Sequence, residues 1–434
     1  MRNFKKVLGL AIAILSGVSV FAQQTTLSPY TRYGYGNLYE NSFGPSSAMG
    51  GVTYGIRTKT QINPGNPASY SITDSTTFLF DMGVFLQAGS FYQGASKNPN
   101  GELTPASREH KITGNFEYAA MQFPIMKNMG ASVGIMPFSS VGYRYGNRQD
   151  IVGGVDNIYE GSGGLSQVYA GLAYKFFDRV SVGANFAYLF GNITHMGGSY
   201  FLDPQIYDSY ISKNLNLKGF KTDIGIQYIQ PIGKKDRLII GAVFSPKVSP
   251  RTRLEEYRTI VGTSNSSSKI DTINIDPATN HFSIPQSFGI GASYQIADKW
   301  LLAADYSYQN WKDAKYYNTT DTLNIRQKIS LGAEYTLDIT SRSFFKRTKY
   351  RVGAHLSDSY LKMNDTGLRE YGLSLGLGFP ITAPYGMTVG SMVNISFEYI
   401  NSRPKVGSLI KEDYFRVTLN MTFNELWFFK RKLD

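Results

Sequence analysis

The sequence predicts an all-β protein: a fourteen-stranded antiparallel outer-membrane β-barrel that crosses the membrane with its strands and holds an N-terminal plug in its lumen. Three observations predict it. Residues 414–423 read YFRVTLNMTF, which puts Phe415, Val417, Leu419, Met421 and Phe423 on one face of a strand and Arg416, Thr418, Asn420 and Thr422 on the other. That alternation recurs along most of the chain. Between its copies, tight turns and longer linkers mostly take turns, the rhythm of an up-and-down barrel with short periplasmic turns and longer extracellular loops.

The chain starts with an export signal. Arg2, Lys5 and Lys6 precede an apolar stretch at 7–20 that is too short for a comfortable membrane helix, and Val20-Phe21-Ala22 suits a signal peptidase. Residues 1–22 are therefore a signal peptide, and the mature chain starts at Gln23. No cysteine follows, which excludes a lipoprotein anchor, and the sequence has no cysteine at all. An exported chain without disulfides is held by its core or its sheet. Hydrophobic residues make up 42% of the sequence, with no second apolar run long enough to span as a helix. A barrel hides its membrane signal in alternation, so modest hydrophobicity does not argue against the membrane.

The strands fall at 76–93, 110–126, 130–144, 163–177, 178–194, 213–231, 236–252, 280–296, 299–314, 320–338, 348–359, 364–381, 384–402 and 412–424. Tight connections lie at 127–129, 177–178, 233–235, 297–298 and 383–385. Long linkers lie at 94–110, 145–162, 195–212 and 253–279, and 339–347 is a longer exception on the tight side. Residues 76–434 form the barrel. An even number of strands fits closure, which leaves no sheet edge in lipid.

Residues 23–75 do not alternate. They are rich in Gly, Ser, Asn and Tyr, as in Tyr33-Gly34-Tyr35-Gly36, and their aromatic content favours a compact plug within the lumen. The net charge of +12 comes from cations placed in short turns, not along one strip, which argues against nucleic acid as a partner. On the periplasmic side stand Lys175, Arg179, Lys234, Lys235, Arg237, Lys346, Arg347 and Lys349, with Lys430-Arg431-Lys432 after Trp427-Phe428-Phe429. Rings and cations so arranged suit outer-membrane lipids as partners.

Catalytic signals are weak. Two Gly-x-Ser-x-Gly matches, at 130–134 and 372–376, fall at the start and in the middle of strands, where a hydrolase needs a strained strand-to-helix turn. His110, His195, His281 and His355 are scattered without metal-ligand spacing. The expectation is a non-enzyme with no catalytic residues, no metal and no cofactor. Lumen-facing charges at Asp223, Asp305, Lys328, Glu334, Arg351, Glu398 and Arg416 have mixed signs, which favours a paired network that holds the plug over a selectivity filter.

Two prolines are informative. Pro137 interrupts the third strand, where a missing donor marks a bulge or break. Asn66-Pro67-Ala68 forms a rigid turn in the plug, shortly before the first strand. With the signal peptide, the Gly-rich plug and the strand count, these features make the chain resemble the FadL family of outer-membrane hydrophobic-compound transporters, closest in character to its Bacteroidetes branch. Asn66, Pro67 and Ala68 match that family's hatch motif. The resemblance implies an integral outer-membrane protein that takes up a small hydrophobic ligand, fatty acid-like or aromatic, by passive diffusion. The ligand would leave sideways at the break in strand three. Ligand-contacting candidates are Phe43, Met49 and Tyr54 of the plug with Met136, Pro137 and Phe138 of the strand.

One departure stands against that role. Lumen-facing positions are mostly Gly, Ser, Thr and Asn, whereas a fatty-acid pocket wants Leu, Ile and Phe. The alternative reading is a non-transporting barrel of the same kind, an accessory subunit with outer-membrane protein partners in secretion or assembly machinery.

Overall fold

The computed structural model describes residues 28–434 except 74–76, 98–102, 150–153, 204–205, 262–267, 274–280, 298, 318, 321, 340, 342, 364–365, 382–389, 406–408 and 427–434. The signal peptide at 1–22, the turn at 383–385 and the aromatic–basic end at 427–432 lie outside the described residues.

Fourteen strands form the barrel wall: β1 (Thr77–Gln93), β2 (Ser107–Met126), β3 (Met129–Gln149), β4 (Val155–Phe176), β5 (Val180–Phe201), β6 (Asp208–Ile232), β7 (Asp236–Ser245), β8 (Ser287–Ile296), β9 (Trp300–Gln309), β10 (Arg326–Thr336), β11 (Lys349–Met363), β12 (Thr366–Pro380), β13 (Met392–Pro404) and β14 (Lys411–Leu426). Each pairs antiparallel with the next, and β14 closes on β1 from Lys411↔Tyr92 to Leu426↔Thr77. The predicted strand count and order therefore hold.

Alternation decides the two faces. Leu373 is 64% exposed and Phe220 74% exposed on the outer face, while Ser181, Gln227 and Asn420 point inward and are fully buried. Several tight turns use left-handed backbone, including Asn128 (φ 66°), Gly233 (φ 65°), and the pair Phe177 (φ 46°) and Asp178 (φ 60°) between β4 and β5. Two consecutive residues of that kind match the right-handed twist of the strands they join.

Some expected linkers are sheet. β3 to β6 continue as paired strands through much of 145–162 and 195–212. The segment Arg251–Val261 extends the wall beside β6 and hairpins onto Ser268–Ile273. The reason is physical: hydrogen-bond ladders need no lipid, so strands rise past the membrane wherever neighbours rise with them. β4, β5 and β6 have 22, 22 and 25 residues, against 10, 10 and 11 for β8, β9 and β10.

One ladder is incomplete. β2 and β3 pair from Met126↔Met129 to Ala119↔Ile135, and the pairing ends there. Beyond that point β2 pairs only with β1, and β3 pairs with β4 through a bulge between Pro137 and Ser139. The irregularity predicted at Pro137 is present.

Candidate functional site

Residues 28–73 pack against the inward face of the wall, and that face is built to receive them. A Cβ at Gly241 would overlap the Tyr54 carbonyl oxygen, and one at Gly353 would overlap the Gly50 nitrogen. Glycine at those positions lets the inner chain lie directly on the wall. This accounts for the small inward residues that looked unsuited to a fatty-acid pocket.

Polar side chains of the wall fasten the segment. Asp305 accepts from the Thr53 N–H at 2.5 Å and from the Tyr54 N–H at 2.9 Å. Ser374 accepts from the Gly50 N–H at 2.9 Å, so the serine of one Gly-x-Ser-x-Gly match is a fastening point. Ser132, of the other match, is 3.0 Å from the Tyr169 hydroxyl. Gln227 donates to the Tyr54 and Ile56 carbonyls at 3.0 and 3.1 Å.

The turn predicted at Asn66, Pro67 and Ala68 caps a short helix, Pro67–Ile72. The Asn66 amide oxygen accepts from the Ala68 N–H at 3.1 Å, while its nitrogen donates to the Tyr54 carbonyl at 2.7 Å. All three residues are completely or almost completely buried against β5 and β6.

The six proposed ligand contacts do not form one pocket. Phe43 and Met136 meet in a buried cluster with Tyr118, Tyr70 and Tyr169, in which the Phe43 and Tyr118 rings stack. Met49 lies elsewhere, packed with Val52, Ile56, Leu301 and Ala303. Tyr54 covers Gly289 near β8. Phe138 packs beneath a third cluster that includes Tyr35, Trp311 and Tyr360, and Pro137 edges a lumen cavity.

The predicted charge network is present and largely paired. Glu334 accepts from Lys349 and Arg351 at 2.6 Å each, and Arg351 also donates to Asn394 at 2.8 Å. Arg416 donates to Gln87 at 2.7 Å and lies 3.7 Å from Glu398. Asp223 accepts from Ser245 and Lys221.

Two inner-segment features escaped the sequence reading. Glu40 pairs with Arg326 and stands 3.5 Å from Lys328. Burial opposes its ionisation, but those two cations outweigh burial and hold its carboxyl well below the usual carboxylate range. The second is a two-residue strand, Asn37–Leu38, that pairs with Ser140 and Ser139 of β3 beside the incomplete ladder. Glu40 carried one usable signal: it is the single acid between residues 28 and 73. A two-residue strand has no periodicity to read.

Among the described residues, two cavities of about 100 Å³ each lie beside this segment. One is bounded by Glu40, Lys221, Asp223, Asp305, Arg326 and Lys328, the other by Glu117, Glu370, Glu398, Arg416 and His355 besides Met136 and Pro137. A larger hollow of about 620 Å³ opens at the long-loop end, between Tyr33, Tyr143, Tyr159, Tyr316 and Tyr317. There Arg32 sits 4.2 Å from the centre of the Tyr159 ring and donates to the Tyr145 hydroxyl at 2.6 Å.

Comparison with solved structures finds the same barrel. The CymD monoaromatic hydrocarbon channel aligns with a TM-score of 0.57 at 14% identity, over 90% of this chain and 99% of its own. A FadL homologue of Pseudomonas aeruginosa gives 0.57 at 12% identity, over 89% and 99%. The toluene transporter TodX of Pseudomonas putida gives 0.57 at 13%, over 89% and 98%. At such identities the likeness establishes a FadL-type outer-membrane fold, and with it an integral outer-membrane location. No curated protein matches the sequence. The family model described as BamG matches residues 4–434, nearly the whole length, and the chain belongs to the BamG family.

Proposed function

We propose that this protein is a non-transporting barrel of FadL-type fold, an accessory subunit that docks partners of outer-membrane secretion or assembly machinery. One observation carries the reading: residues 28–73 pack against the inward face of the wall, and two cavities left beside them are of only about 100 Å³ each, with Glu40, Arg326 and Lys328 on the lining of both. Pockets for apolar ligands measure roughly 300–1,000 Å³ and are mostly apolar. A hydrocarbon passing these cavities would strip water from Glu40, Asp305, Arg326 and Arg416 without replacing its hydrogen bonds. The inner segment thus serves as a fixed plug, fastened by Asp305, Ser374 and Gln227. Ser132 and Ser374 take structural parts in this reading, and the protein is not an enzyme.

A second reading is favoured by the incomplete β2–β3 ladder and the aromatic hollow at the long-loop end. It is a channel for small hydrophobic molecules, with entry at that hollow and lateral exit beside Pro137. The solved channels of similar fold support it as far as architecture goes.

Two measurements on one preparation separate the readings. Affinity-tagged protein extracted from outer membranes in mild detergent should carry other outer-membrane proteins in fixed stoichiometry. Proteoliposomes of the purified chain should admit toluene no faster than empty liposomes. A chain that purifies alone and speeds toluene entry is a channel.

A further inference from the structure

The gap between β2 and β3 has two lips, and the inner segment covers one of them. On β3, Asn37–Leu38 pairs with Ser140 and Ser139, and the Tyr39 N–H donates to the Phe138 carbonyl at 3.0 Å. The Thr31 hydroxyl accepts from the Gly142 N–H at 3.2 Å. The inner segment thus stands where a neighbouring strand would. On β2, the ladder from Ser107 to Tyr118 runs to β1 alone. The Phe116 N–H is taken by the Asn115 amide oxygen at 2.8 Å. Among the described residues, no further backbone bond reaches the other edge of 107–115.

Height explains why an edge is tolerated there. A membrane-spanning strand takes roughly 9–11 residues. Counted up from Met126 at the turn end, that span is used up near Phe116. Residues 107–115 therefore rise beyond the outer leaflet, in keeping with Arg108, Glu109, His110 and Lys111 in their sequence. In lipid an open edge does not persist, whereas in water it is a template for another strand. The template is about 30 Å long. No proline interrupts it, and residues 107–112 are all exposed.

Side chains narrow the occupant. Ile112 stands opposite Ala88 on the outer face and is 71% exposed. A directly opposed apolar side chain would cover it. In strand addition the main chain supplies affinity and alternate side chains supply specificity. A second barrel could bring only a strand already joined to its own neighbours, while β3 resumes the wall on the far side of the gap. A single extended segment suits that geometry.

We propose that the free edge of β2 at 107–115 is a strand-addition site. An extended segment of a partner protein outside the membrane, with an apolar residue facing Ile112, pairs there. This rests on the accessory-subunit reading and names the surface and mode of one contact.

The test is hydrogen–deuterium exchange with mass spectrometry on two samples of the full-length protein. One is the purified chain in dilute detergent, the other the assembly drawn from outer membranes by an affinity tag. Peptides covering 107–115 should exchange at least tenfold more slowly in the assembly, with β4 unchanged. Ile112→Lys, which places a charge on the edge, should abolish that protection, and Ile112→Val should keep it. Heat-modifiable gel migration checks folding; if Ile112→Lys does not fold, Ile112→Ser should weaken the protection by a few fold. A folded Ile112→Lys variant protected like the wild type overturns the proposal. So does protection in the dilute isolated chain, which marks an edge filled from within. Protection that grows with the concentration of the isolated chain marks a second copy and overturns the partner. The two levels fail separately. Partners that co-purify while 107–115 still exchanges fast leave the accessory role standing and this site wrong. A chain that purifies alone removes both.

Discussion

At the scale of single residues, contact between wall and inner chain rests on groups too small or too well paired to substitute. Gly353→Val would drive a side chain into Met49 and Gly50 and should cost about 1–3 kcal/mol, the usual range for overpacking. A lower melting temperature in detergent by scanning calorimetry is the expected outcome. Glu40 gives a pH dependence. Its exposed third opens into the enclosed lumen cavities, and Arg326 and Lys328 depress its ionisation in the folded state. A depressed carboxyl contributes stability above its unfolded value, near ~4.3, and loses it as pH falls through the lower folded value. Glu40→Gln should therefore lower the melting temperature at neutral pH. It should also flatten the fall in stability below about pH 4, which melting curves across an acid series check. Much of this scale was legible in the sequence: the mixed signs of Asp305, Lys328, Glu334, Arg351 and Arg416 already implied pairing. Partners from the N-terminal segment were not legible, because Glu40 meets Arg326 and Thr53 meets Asp305 across 286 and 252 residues of sequence.

At the scale of elements, alternation such as that of 414–423 located the fourteen wall strands, since one face turns outward and the other toward the inner chain, but not the hairpin of Arg251–Val261 with Ser268–Ile273 or the short strand Asn37–Leu38. It placed the outer ends of β3 to β6 poorly. Above the membrane both faces are wet, and the period-two signal fades while the ladder continues. The break at Pro137 was legible because proline lacks a donor. The extent of the gap was not, since it depends on where β2 stops following β3. That gap makes a prediction: amides of β2 within 107–118 that point away from β1 have no ladder partner in β3. They should exchange with deuterium far faster than the amides of β4 and β5, which are paired on both sides. Mass spectrometry of peptides from β2 and β4 measures the contrast. Equal protection would mean that another strand occupies the edge.

At the scale of the whole molecule, the proposed plug at 28–73 makes a prediction about conductance. Full-length protein in planar bilayers should show no steady ionic conductance. A folded variant lacking residues 28–73 should conduct, because Asp223, Asp305, Arg351 and Arg416 would then line open water. A silent deletion variant would mean that the wall closes by itself. Of the six ligand contacts read from the sequence, Phe43, Met136 and Pro137 line one cavity, Tyr54 and Phe138 line the other, and Met49 packs apart from both. Residue type alone cannot tell an apolar side chain that fastens a plug from one that greets a guest. Both are buried among rings.

The unequal strand lengths have a directional consequence. At about 3.3 Å per residue and a tilt near 40°, the extra residues of β4 to β6 raise that sector roughly 30 Å above the sector of β8 to β10. The rim of the sheet is thus a slope, like a collar cut on the bias. A neighbour sliding along the outer leaflet meets a tall parapet from one bearing and a low sill from the opposite one. The azimuth of any lateral assembly in the plane of the membrane is then constrained by height as well as by chemistry.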